Sequence, residues 1–544
     1  MKFGPVPAAE AEGAILVHSV GLPGRKLKKG RVLSPEDVAA LAEADVPTVT
    51  VARLDPGDIG EDEAATVIAQ AACGDGVRLQ AAFTGRCNLY ATVRGIAVIE
   101  RERVDALNML DEAVTIATVP PYEVVEPGQL LATVKIIPFA APAEAVTAAT
   151  GIAGGNHRPM VEVSALQPKA AGLIMTALPG TKASVLDKTA VVLSERLTAL
   201  GSKLHRQLRC PHEAAAIGIA IRQLREDGCD PILIFGASAI TDRRDEIPAG
   251  IVEAGGSIKH FGMPVDPGNL LLLAEFEQRP VIGLPGCARS PKLNGFDWVL
   301  QRLLADVPVT GQDVMRMGAG GLLKEIPIRP QPRAGKNEAA AATVPRMPRI
   351  AALVLAAGQS RRMGAANKLL AEVDGQAMVR HAVAAATQSG VVETVVVTGH
   401  EPERVRDALA GSSVRFVHNP NYDRGLSTSL QAGLRALPDE VDGVLVLLGD
   451  MPRIRSAHVD RLIAAFSPLE GRAICVPTFQ GKRGNPVLFA TTFLAEMRDV
   501  GGDVGARHII GQHEDEIAEV PMPDDAIFID VDTPDALTDL QRAV

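Results

Sequence analysis

The sequence predicts an α/β protein in which two doubly wound α/β domains follow a mixed, β-containing N-terminal region. Short apolar runs alternate with helical patterns over about 165–328 and again over 349–544, which is typical of parallel sheets covered by helices on both faces. A glycine-rich turn, Leu355-Ala-Ala-Gly-Gln-Ser-Arg-Arg-Met-Gly364, directly follows the apolar run 350–355. The expected boundaries are an N-terminal region at 1–160, an α/β domain at 161–328, a linker at 329–348 and a second α/β domain at 349–544.

Composition excludes several classes of protein. The 544 residues carry a formal net charge of −10 with no block of lysines or arginines, which argues against a nucleic-acid partner. Apolar stretches such as 269–274 are too short to cross a bilayer, and the N-terminus lacks the apolar core of a signal peptide. None of the six cysteines forms a C-x-x-C pair, so a metal-thiolate site is not expected. A cytoplasmic protein that binds neither nucleic acid nor membrane is predicted.

The first 160 residues mix short strands with turns. Strands are predicted at 14–18, 48–52 and 130–137, where apolar and β-branched residues cluster. Ser34-Pro35-Glu36-Asp37 is a strong helix start, because serine caps the helix, proline fits its first position and acids favour its first turn.

The middle segment alternates strands and helices. Strands are predicted at 171–176 and 231–236, with a helix at 212–224. Another helix is predicted from Asp187 to Gly201, since its apolar residues fall on one face. The linker at 329–348 is rich in proline, alanine and charge, so it is interpreted as a tether between two independently folded halves.

The last segment repeats the alternation more regularly. Helices are predicted around 377–388 and 427–436. The predicted strands cover 350–356, 392–398, 414–417, 443–448, 473–477 and 527–531.

Polar residues collect at the ends of these predicted strands. The glycine-rich turn after 350–355, with Lys368 beyond it, is interpreted as a cradle for a nucleotide's phosphates at the carboxyl edge of an open sheet. Asp450 follows the strand at 443–448, where a carboxylate suits Mg²⁺. Three further polar pieces are Asn419-Pro420 with 425–430, Arg483-Gly-Asn-Pro-Val487, and Asp530-Val-Asp532-Thr-Pro534.

Together these motifs resemble the nucleotidyltransferases of molybdenum cofactor synthesis, and most closely the cytidylyltransferase branch. The resemblance rests on L-A-A-G-x-S-x-R-M-G with its lysine, N-P-x-Y-x-x-G-x-x-x-S-L, G-D-M-P, R-G-N-P and D-x-D-T-P, and it covers 349–544. The related guanylyltransferases typically carry L-A-G-G, so Ala357 favours CTP.

The resemblance implies roles for individual residues. Arg362 and Lys368 would neutralise the phosphates, Asp450 would hold Mg²⁺, and Asp532 would be the second carboxylate. Arg361 sits at a variable position of the motif. The residues implied to contact the nucleotide are Ala356, Ala357, Gly358, Ser360, Ser427 and Ser429.

The implied reaction transfers CMP from CTP to the terminal phosphate of molybdopterin and releases pyrophosphate. It requires no protein nucleophile, because positioning and charge neutralisation provide the rate. Two alternatives stay open, namely a GTP-using guanylyltransferase of the same pathway and a non-catalytic molybdopterin carrier or chaperone. CTP and molybdopterin are therefore the expected small-molecule partners, together with an apo-molybdoenzyme or its chaperone.

The middle segment resembles the molybdopterin-binding domain of pterin adenylyltransferases and molybdenum insertases, through 235–248, 260–268 and 283–286. This resemblance implies that Gly236, Ser238 and Asp245 bind the pterin. The loop reads Gly-Ala-Ser where the family has G-G-T-G or G-G-V-S, and His212 stands where a second acid is usual, so binding without adenylylation is predicted. A retained fold with a degenerate site is the alternative, with His212 a helix-start residue.

The segments 15–19 and 27–33 resemble the region that precedes this domain in insertase-like proteins. The cations Lys26, Lys28, Lys29 and Arg31 are interpreted either as an attractor for the pterin phosphate or as a solvated basic turn.

Overall fold

The computed structural model describes residues 1–155, 158–323, 346–359, 367–499, 507–531, 533, 536–538 and 540. The linker predicted at 329–348 lies outside these residues except for its last three. The predicted site residues Ser360, Arg362 and Asp532 also lie outside them, as does Arg361. Within the described part of the chain, no helix is long and apolar enough to span a membrane.

The first 53 residues form a small sheet with its own core. The strand at Thr48–Arg53 lies in the centre, antiparallel to both neighbours. The helix Pro35–Glu43 starts as predicted, because Ser34 Oγ accepts from the Asp37 amide at 3.2 Å while the Asp37 carboxylate accepts from the Ser34 amide at 3.1 Å. The strands of this sheet are Lys2–Pro7, Ile15–Leu16 and Thr48–Arg53, and Val20–Leu22 pairs with Arg25–Leu27 in a separate hairpin.

Residues 54–165 pack around a second core, which is separate from the first. Its main sheet has four antiparallel strands, with Leu130–Ile136 between Val114–Thr118 and Arg86–Ala91. The helices are Glu61–Ala72, Arg101–Asn108 and Ala143–Gly154. The remaining strands are Asp58–Gly60, Val77–Leu79, Gly95–Ile99, Val124–Val125, Ala140–Pro142 and Val161–Ala165.

The middle domain is built on a six-stranded sheet. Four strands are parallel, in the spatial order Lys203–Pro211, Ala170–Ala177, Ile232–Phe235 and Arg279–Leu284. The antiparallel strands Leu272–Phe276 and Ser257–Phe261 complete one edge, which the sequence analysis did not predict.

Helices cover both faces of this sheet, as the alternating pattern predicted. Leu173 and Met175 face one apolar cluster, and Ile174 between them faces the other. Because both of their faces are buried, the central strands Ala170–Ala177 and Ile232–Phe235 consist almost entirely of apolar residues, whereas the edge strand Lys203–Pro211 is largely polar and exposed. The helices are Ala183–Ala199, Ala214–Glu226, Glu246–Ala254, Gly295–Leu304 and Gly311–Met315.

The C-terminal domain is a second open sheet with helices on both sides. Its parallel strands stand in the order Arg415–His418, Glu393–Thr398, Ile350–Ala356 and Gly443–Leu448. The antiparallel strands Val487–Ala490, Ile474–Phe479 and Lys482–Arg483 follow. The helices are Met378–Thr387, Pro402–Ala408, Leu426–Leu434, Ser456–Ala465, Leu494–Asp499 and Arg507–Gln512, and a hairpin pairs Glu372–Val373 with Gln376–Ala377.

One predicted strand is wrong. Residues 527–531 do not pair with the sheet, and Asp525–Phe528 form a single 3₁₀ turn that Asp524 caps. The strand is instead Ile517–Pro521, which runs parallel to Ile474–Phe479. Both segments have β-branched and apolar residues, so local composition does not separate them.

The C-terminal domain packs against the N-terminal half through polar contacts. Lys28 Nζ donates to the Ile517 carbonyl at 2.5 Å, and Gln80 Nε2 donates to the Ile463 carbonyl at 3.3 Å. Arg346, at the end of the predicted linker, pairs with Asp442 at 2.9 Å, while the neighbouring Met347 amide donates to the Gly128 carbonyl.

Candidate active site

The candidate site lies where the strand order of the C-terminal sheet reverses. The chain leaves Ile350–Ala356 toward Glu393–Thr398 on one side, whereas Gly443–Leu448 joins on the other. In an open α/β sheet, a crevice forms at the carboxyl ends of the strands at such a switch point. The glycine-rich turn and Gly449-Asp450 leave the sheet at this edge, and the Gly449 amide donates to the Leu355 carbonyl at 3.0 Å.

An ion pair between Lys368 and Asp450 occupies the crevice. Lys368 Nζ lies 2.5 Å from Asp450 Oδ2, and the two side chains are only 13% and 16% exposed. Lys368 lies in a 3₁₀ turn whose cap is Asn367, since Asn367 Oδ1 accepts from the Leu369 amide. The structure thus brings together the cation and the carboxylate that the sequence predicted, although 82 residues separate them.

The second oxygen of Asp450 is a candidate metal ligand. Asp450 Oδ1 is buried and has no hydrogen-bond partner among the described residues. A buried, unpaired carboxylate oxygen is costly, and Mg²⁺ prefers such hard oxygen ligands. No group of three acid, histidine or cysteine side chains able to hold a metal occurs among the described residues. Mg²⁺ commonly uses one or two carboxylates and takes its other ligands from phosphates and water, so Asp450 fits that role.

The start of the glycine-rich turn is shaped for close approach. Ala356 and Ala357 are buried, whereas Gly358 is exposed, and a Cβ built on Gly358 meets no atom of the described residues within 4 Å. A Cβ on Gly399 would lie 2.8 Å from the Ala357 Cβ and 2.5 Å from the Tyr422 Cβ. Only glycine at 399 therefore lets this neighbouring loop pack beside the turn.

Ser427 and Ser429, predicted near the base or ribose, lie in the helix Leu426–Leu434, and each is only 3% exposed. Ser429 Oγ accepts from Asn419 Nδ2 at 3.0 Å, and Asn419 Oδ1 accepts from the Asn421 amide. In this arrangement Ser429 holds the Asn-Pro loop in shape.

The R-G-N-P loop connects two parts of the domain. Arg483 binds Glu514 at 2.7 Å and Glu519 at 2.9 Å, and the hydrogen bond to Glu514 is the main reason that the pKa of the guanidinium is raised. The Asn485 amide donates to the Ile527 carbonyl at 3.1 Å. The Val531 amide in turn donates to the Asp450 carbonyl at 3.2 Å, which ties the acidic C-terminal segment to the crevice.

The basic residues predicted near the N-terminus line a cleft of about 870 Å³ beside this loop. Arg31 pairs with Asp37 at 2.7 Å, and Lys28 donates to the carbonyls of Ile517 and Glu514. Burial lowers the pKa of Lys28. Lys29 Nζ lies over the Phe139 ring, 5.7 Å from its centroid, so three of the four predicted cations make contacts within the protein.

In the middle domain the predicted pterin loop starts at the carboxyl end of Ile232–Phe235. Gly236 is needed there, because a Cβ would lie 2.6 Å from the Ser238 carbonyl oxygen. Asp245 caps the helix Glu246–Ala254: its two carboxylate oxygens accept from the amides of Glu246 and Thr241.

Sequence reasoning missed one group of residues in this domain. His212 lies just before the N-cap Glu213, in agreement with a helix-start residue, and it also contacts Thr176 and Ser238, which the sequence did not predict. Thr176 was not predicted as a site residue, because it ends an apolar run that indicates only a buried strand. The available signal was its position at the carboxyl end of a predicted parallel strand, one strand away from Ser238.

Comparisons with known proteins match parts of this chain. The family model of the MobA-like NTP transferase domain matches residues 352–517, and that of a domain of unknown function (DUF8806) matches residues 5–53. The purine catabolism protein PucB from Bacillus subtilis is 27% identical over 213 residues, which are 37% of this chain and 99% of that protein.

Two further comparisons also cover only part of the chain. The bifunctional protein GlmU from Kineococcus radiotolerans is 39% identical over 139 residues, 25% of this chain, and the chain spans only 28% of its length. The crystal structure of Rv0371c from Mycobacterium tuberculosis is 25% identical, with a TM-score of 0.33, and the match covers 36% of this chain and 99% of that one. Residues 352–517 of this chain therefore match the MobA-like NTP transferase domain, and the chain spans only about a quarter of the length of the GlmU relatives.

Proposed function

We propose that the protein is a molybdenum cofactor cytidylyltransferase, which transfers CMP from CTP to the terminal phosphate of molybdopterin. The observation that supports this most directly is the pairing of Lys368 with Asp450 at the switch point, next to the open space at Gly358. A carrier that only binds molybdopterin has no need for a cation and a metal-binding carboxylate beside a phosphate cradle. The choice of the cytosine base rests on the resemblance at Ala357.

The proposed chemistry is one displacement. A terminal phosphate oxygen of molybdopterin attacks the α-phosphorus of CTP, a new P–O bond forms, and the bond to the β-phosphate breaks to release pyrophosphate. Bound Mg²⁺ would neutralise charge on the phosphates and leaving group. Asp450 would hold the ion, and Lys368 would place a fixed positive charge where negative charge develops, in a partly desolvated crevice.

The middle domain is proposed to hold the pterin without adenylylating it. Adenylyl transfer would need carboxylates that hold Mg²⁺ near ATP, whereas Asp245 serves as a helix cap, with each of its oxygens accepting from a backbone amide. A histidine is a poor substitute for a hard oxygen ligand. Joining the two modules in one chain raises the local concentration of a labile substrate at the transferase site.

A nucleotide competition experiment tests the proposal. The full-length protein is incubated with Mg²⁺, molybdopterin and all four nucleoside triphosphates together, and the products are identified by mass spectrometry. We expect the cytidine dinucleotide of molybdopterin to dominate. Guanosine product in equal or greater amount would refute the choice of CTP, whereas adenylylated molybdopterin would show that the middle domain is catalytic. If the protein is folded and active but forms no dinucleotide of molybdopterin, the proposed acceptor is refuted.

A further inference from the structure

Three side chains form a continuous hydrogen-bonded chain across the middle domain. Thr176, His212 and Ser238 lie at or just beyond the carboxyl ends of three parallel strands that are neighbours in the sheet. His212 Nδ1 lies 2.8 Å from Thr176 Oγ1, and His212 Nε2 lies 3.0 Å from Ser238 Oγ. Thr176 is fully buried, His212 is half-buried and Ser238 is exposed, so the chain runs from the core to the surface.

The direction of these hydrogen bonds follows from Thr176. Its Oγ1 already accepts a hydrogen bond from the Ala237 amide at 2.8 Å. Within the described residues, the only other partner of this hydroxyl is His212 Nδ1. A buried hydroxyl hydrogen without an acceptor is costly, so the threonine hydroxyl donates to Nδ1. The neutral imidazole then carries its hydrogen on Nε2 and donates to Ser238 Oγ.

This direction is the opposite of that in a serine nucleophile. An activated serine must donate its proton to a histidine nitrogen that has a free lone pair. Here that would require a hydrogen on Nδ1, which would leave the buried Thr176 hydroxyl without an acceptor. The relay instead keeps the Ser238 oxygen occupied as an acceptor and leaves its hydroxyl hydrogen directed away from His212.

We propose that the Thr176–His212–Ser238 relay binds an oxyanion of the phosphate class, with the Ser238 hydroxyl as the terminal donor. Two further donors adjoin it, since the amides of Ser238 and Ala239 have no acceptor in the described part of the chain. Hydrogen bonds in series polarise one another, which strengthens the last donor. Gly236 permits the tight turn that places these groups side by side.

The inference concerns the loop that the proposed function assigns to the pterin, and it rests on that function only for the identity of the ligand. Inorganic phosphate, a simple phosphomonoester such as glycerol phosphate, and molybdopterin are therefore separate arms of the test. If inorganic phosphate and glycerol phosphate bind but molybdopterin does not, the proposed oxyanion site at the relay is supported and the proposed pterin role is refuted.

The test observes His212 directly, because the proposed transferase crevice would also bind phosphate. Full-length protein labelled with ¹⁵N-histidine is titrated with inorganic phosphate, and the His212 ring signals are assigned from their loss in His212→Asn. We expect the ring hydrogen on Nε2 before ligand is added, and ring signals that shift with phosphate. A hydrogen on Nδ1, or ring signals indifferent to phosphate and to the phosphomonoester, would overturn the proposal.

Variants distinguish loss of the relay from a general loss of stability in the domain. Ser238→Ala should weaken phosphate binding at this site about tenfold, the size expected for one lost hydrogen bond. Thr176→Val should weaken it similarly, while Thr176→Ser should retain it because the hydroxyl remains. Thr189→Val is the matched control, since Thr189 is buried in the same domain and bonds only within its helix.

A second measurement addresses the nucleophile interpretation. The protein is treated with a fluorophosphonate that labels activated serines, and the modified residue is mapped by mass spectrometry. We expect no adduct at Ser238. A stoichiometric adduct there, lost in Ser238→Ala and in His212→Asn, would overturn the donor assignment in favour of a catalytic serine.

Discussion

At the scale of single residues, the transferase crevice contains two opposite charges that stabilise each other as an ion pair. Lys368 and Asp450 are both largely removed from water, so each would be costly to bury alone. Their pairing keeps the lysine ammonium and the carboxylate in place before any ligand binds. The buried Asp450 Oδ1, which has no partner among the described residues, is the position from which the carboxylate can bind a cation.

Asp450→Asn should abolish nucleotidyl transfer while largely preserving the fold, because it removes the ligand charge and keeps the side-chain shape. Lys368→Ala should lower the rate by a factor on the order of 10² or more, as for loss of a preorganised cation. Turnover is measured by pyrophosphate release.

Asp442→Asn is the matched control for Asp450→Asn. Asp442 precedes the opposite end of the strand Gly443–Leu448 and pairs with Arg346, away from the crevice. Wild-type turnover in Asp450→Asn, or an equal loss in Asp442→Asn, would contradict the assignment of Asp450.

The residue scale also shows what the sequence could and could not predict. The meeting of Lys368 and Asp450 was predictable, because the carboxyl ends of parallel strands share an edge of the sheet. The capping role of Asp245 and the contact between Thr176 and His212 were not. Both depend on side-chain directions and loop paths that spacing along the chain does not determine.

At the scale of an element, the helix Glu61–Ala72 begins with a half-buried acid. Three acids, Glu61, Asp62 and Glu63, occupy its first turn, where the helix dipole favours negative charge. Burial nevertheless raises the pKa of Glu61 to about 7, even though Lys135 lies 4.0 Å away. Desolvation therefore outweighs the favourable charges at this helix start.

This raised pKa predicts a pH-dependent stability. Glu61 binds its proton more tightly in the folded state than in the unfolded chain, so its contribution is fully present below the usual glutamate pKa and is lost as the pH rises through about 7. Glu61→Gln should match the wild type near pH 5 and exceed it at pH 8 by roughly 2 kcal/mol in free energy of unfolding. Urea unfolding of the wild type and of Glu61→Gln at the two pH values measures these free energies of unfolding.

Glu63→Gln, an exposed acid of the same turn, is the control for the Glu61 experiment. It should change the free energy of unfolding little at either pH. A Glu61→Gln protein that is less stable than the wild type at pH 8 would show that the carboxylate is net stabilising at this position.

Most strands of the C-terminal sheet were predictable because they are buried on both faces and form short apolar runs with turns on each side. The edge of this sheet was harder to predict. Ile517–Pro521 alternates a buried face with a polar one and joins the sheet only by pairing with Ile474–Phe479. Residues 527–531 are no less apolar, but the cap at Asp524 directs the chain into a turn before they can pair.

At the scale of the whole molecule, separate cores support separate units. The large apolar cluster of the C-terminal domain is formed by residues of that domain, with Phe83 of the N-terminal region packed at its margin. The contacts between the C-terminal domain and the N-terminal half are mainly polar. They include Lys28 to Ile517, Gln80 to Ile463 and the pair Arg86–Glu470 at 3.5 Å.

Residues 349–544, expressed alone, should therefore fold and bind CTP with Mg²⁺. Cutting the chain there exposes mainly polar surface and the site of Phe83, while the sheet, its helices and the pair Lys368–Asp450 remain intact. Binding is measured as the rise in melting temperature with CTP, since a ligand that binds only the folded state stabilises it by RT ln(1 + [L]/Kd). At a CTP concentration of 100 Kd the stabilisation should reach about 2.7 kcal/mol.

The same fragment with Asp450→Asn is the control, and its Mg²⁺-dependent stabilisation by CTP should be sharply reduced. A soluble, folded fragment that ignores CTP, while the full-length protein binds it, would show that the N-terminal half contributes to the nucleotide site. The cleft lined by Lys28, Arg31 and Arg483 would then be the first place to look, because it is formed jointly by the two halves. An insoluble fragment would instead mean that the polar contacts and Phe83 stabilise the fold more than their small number suggests.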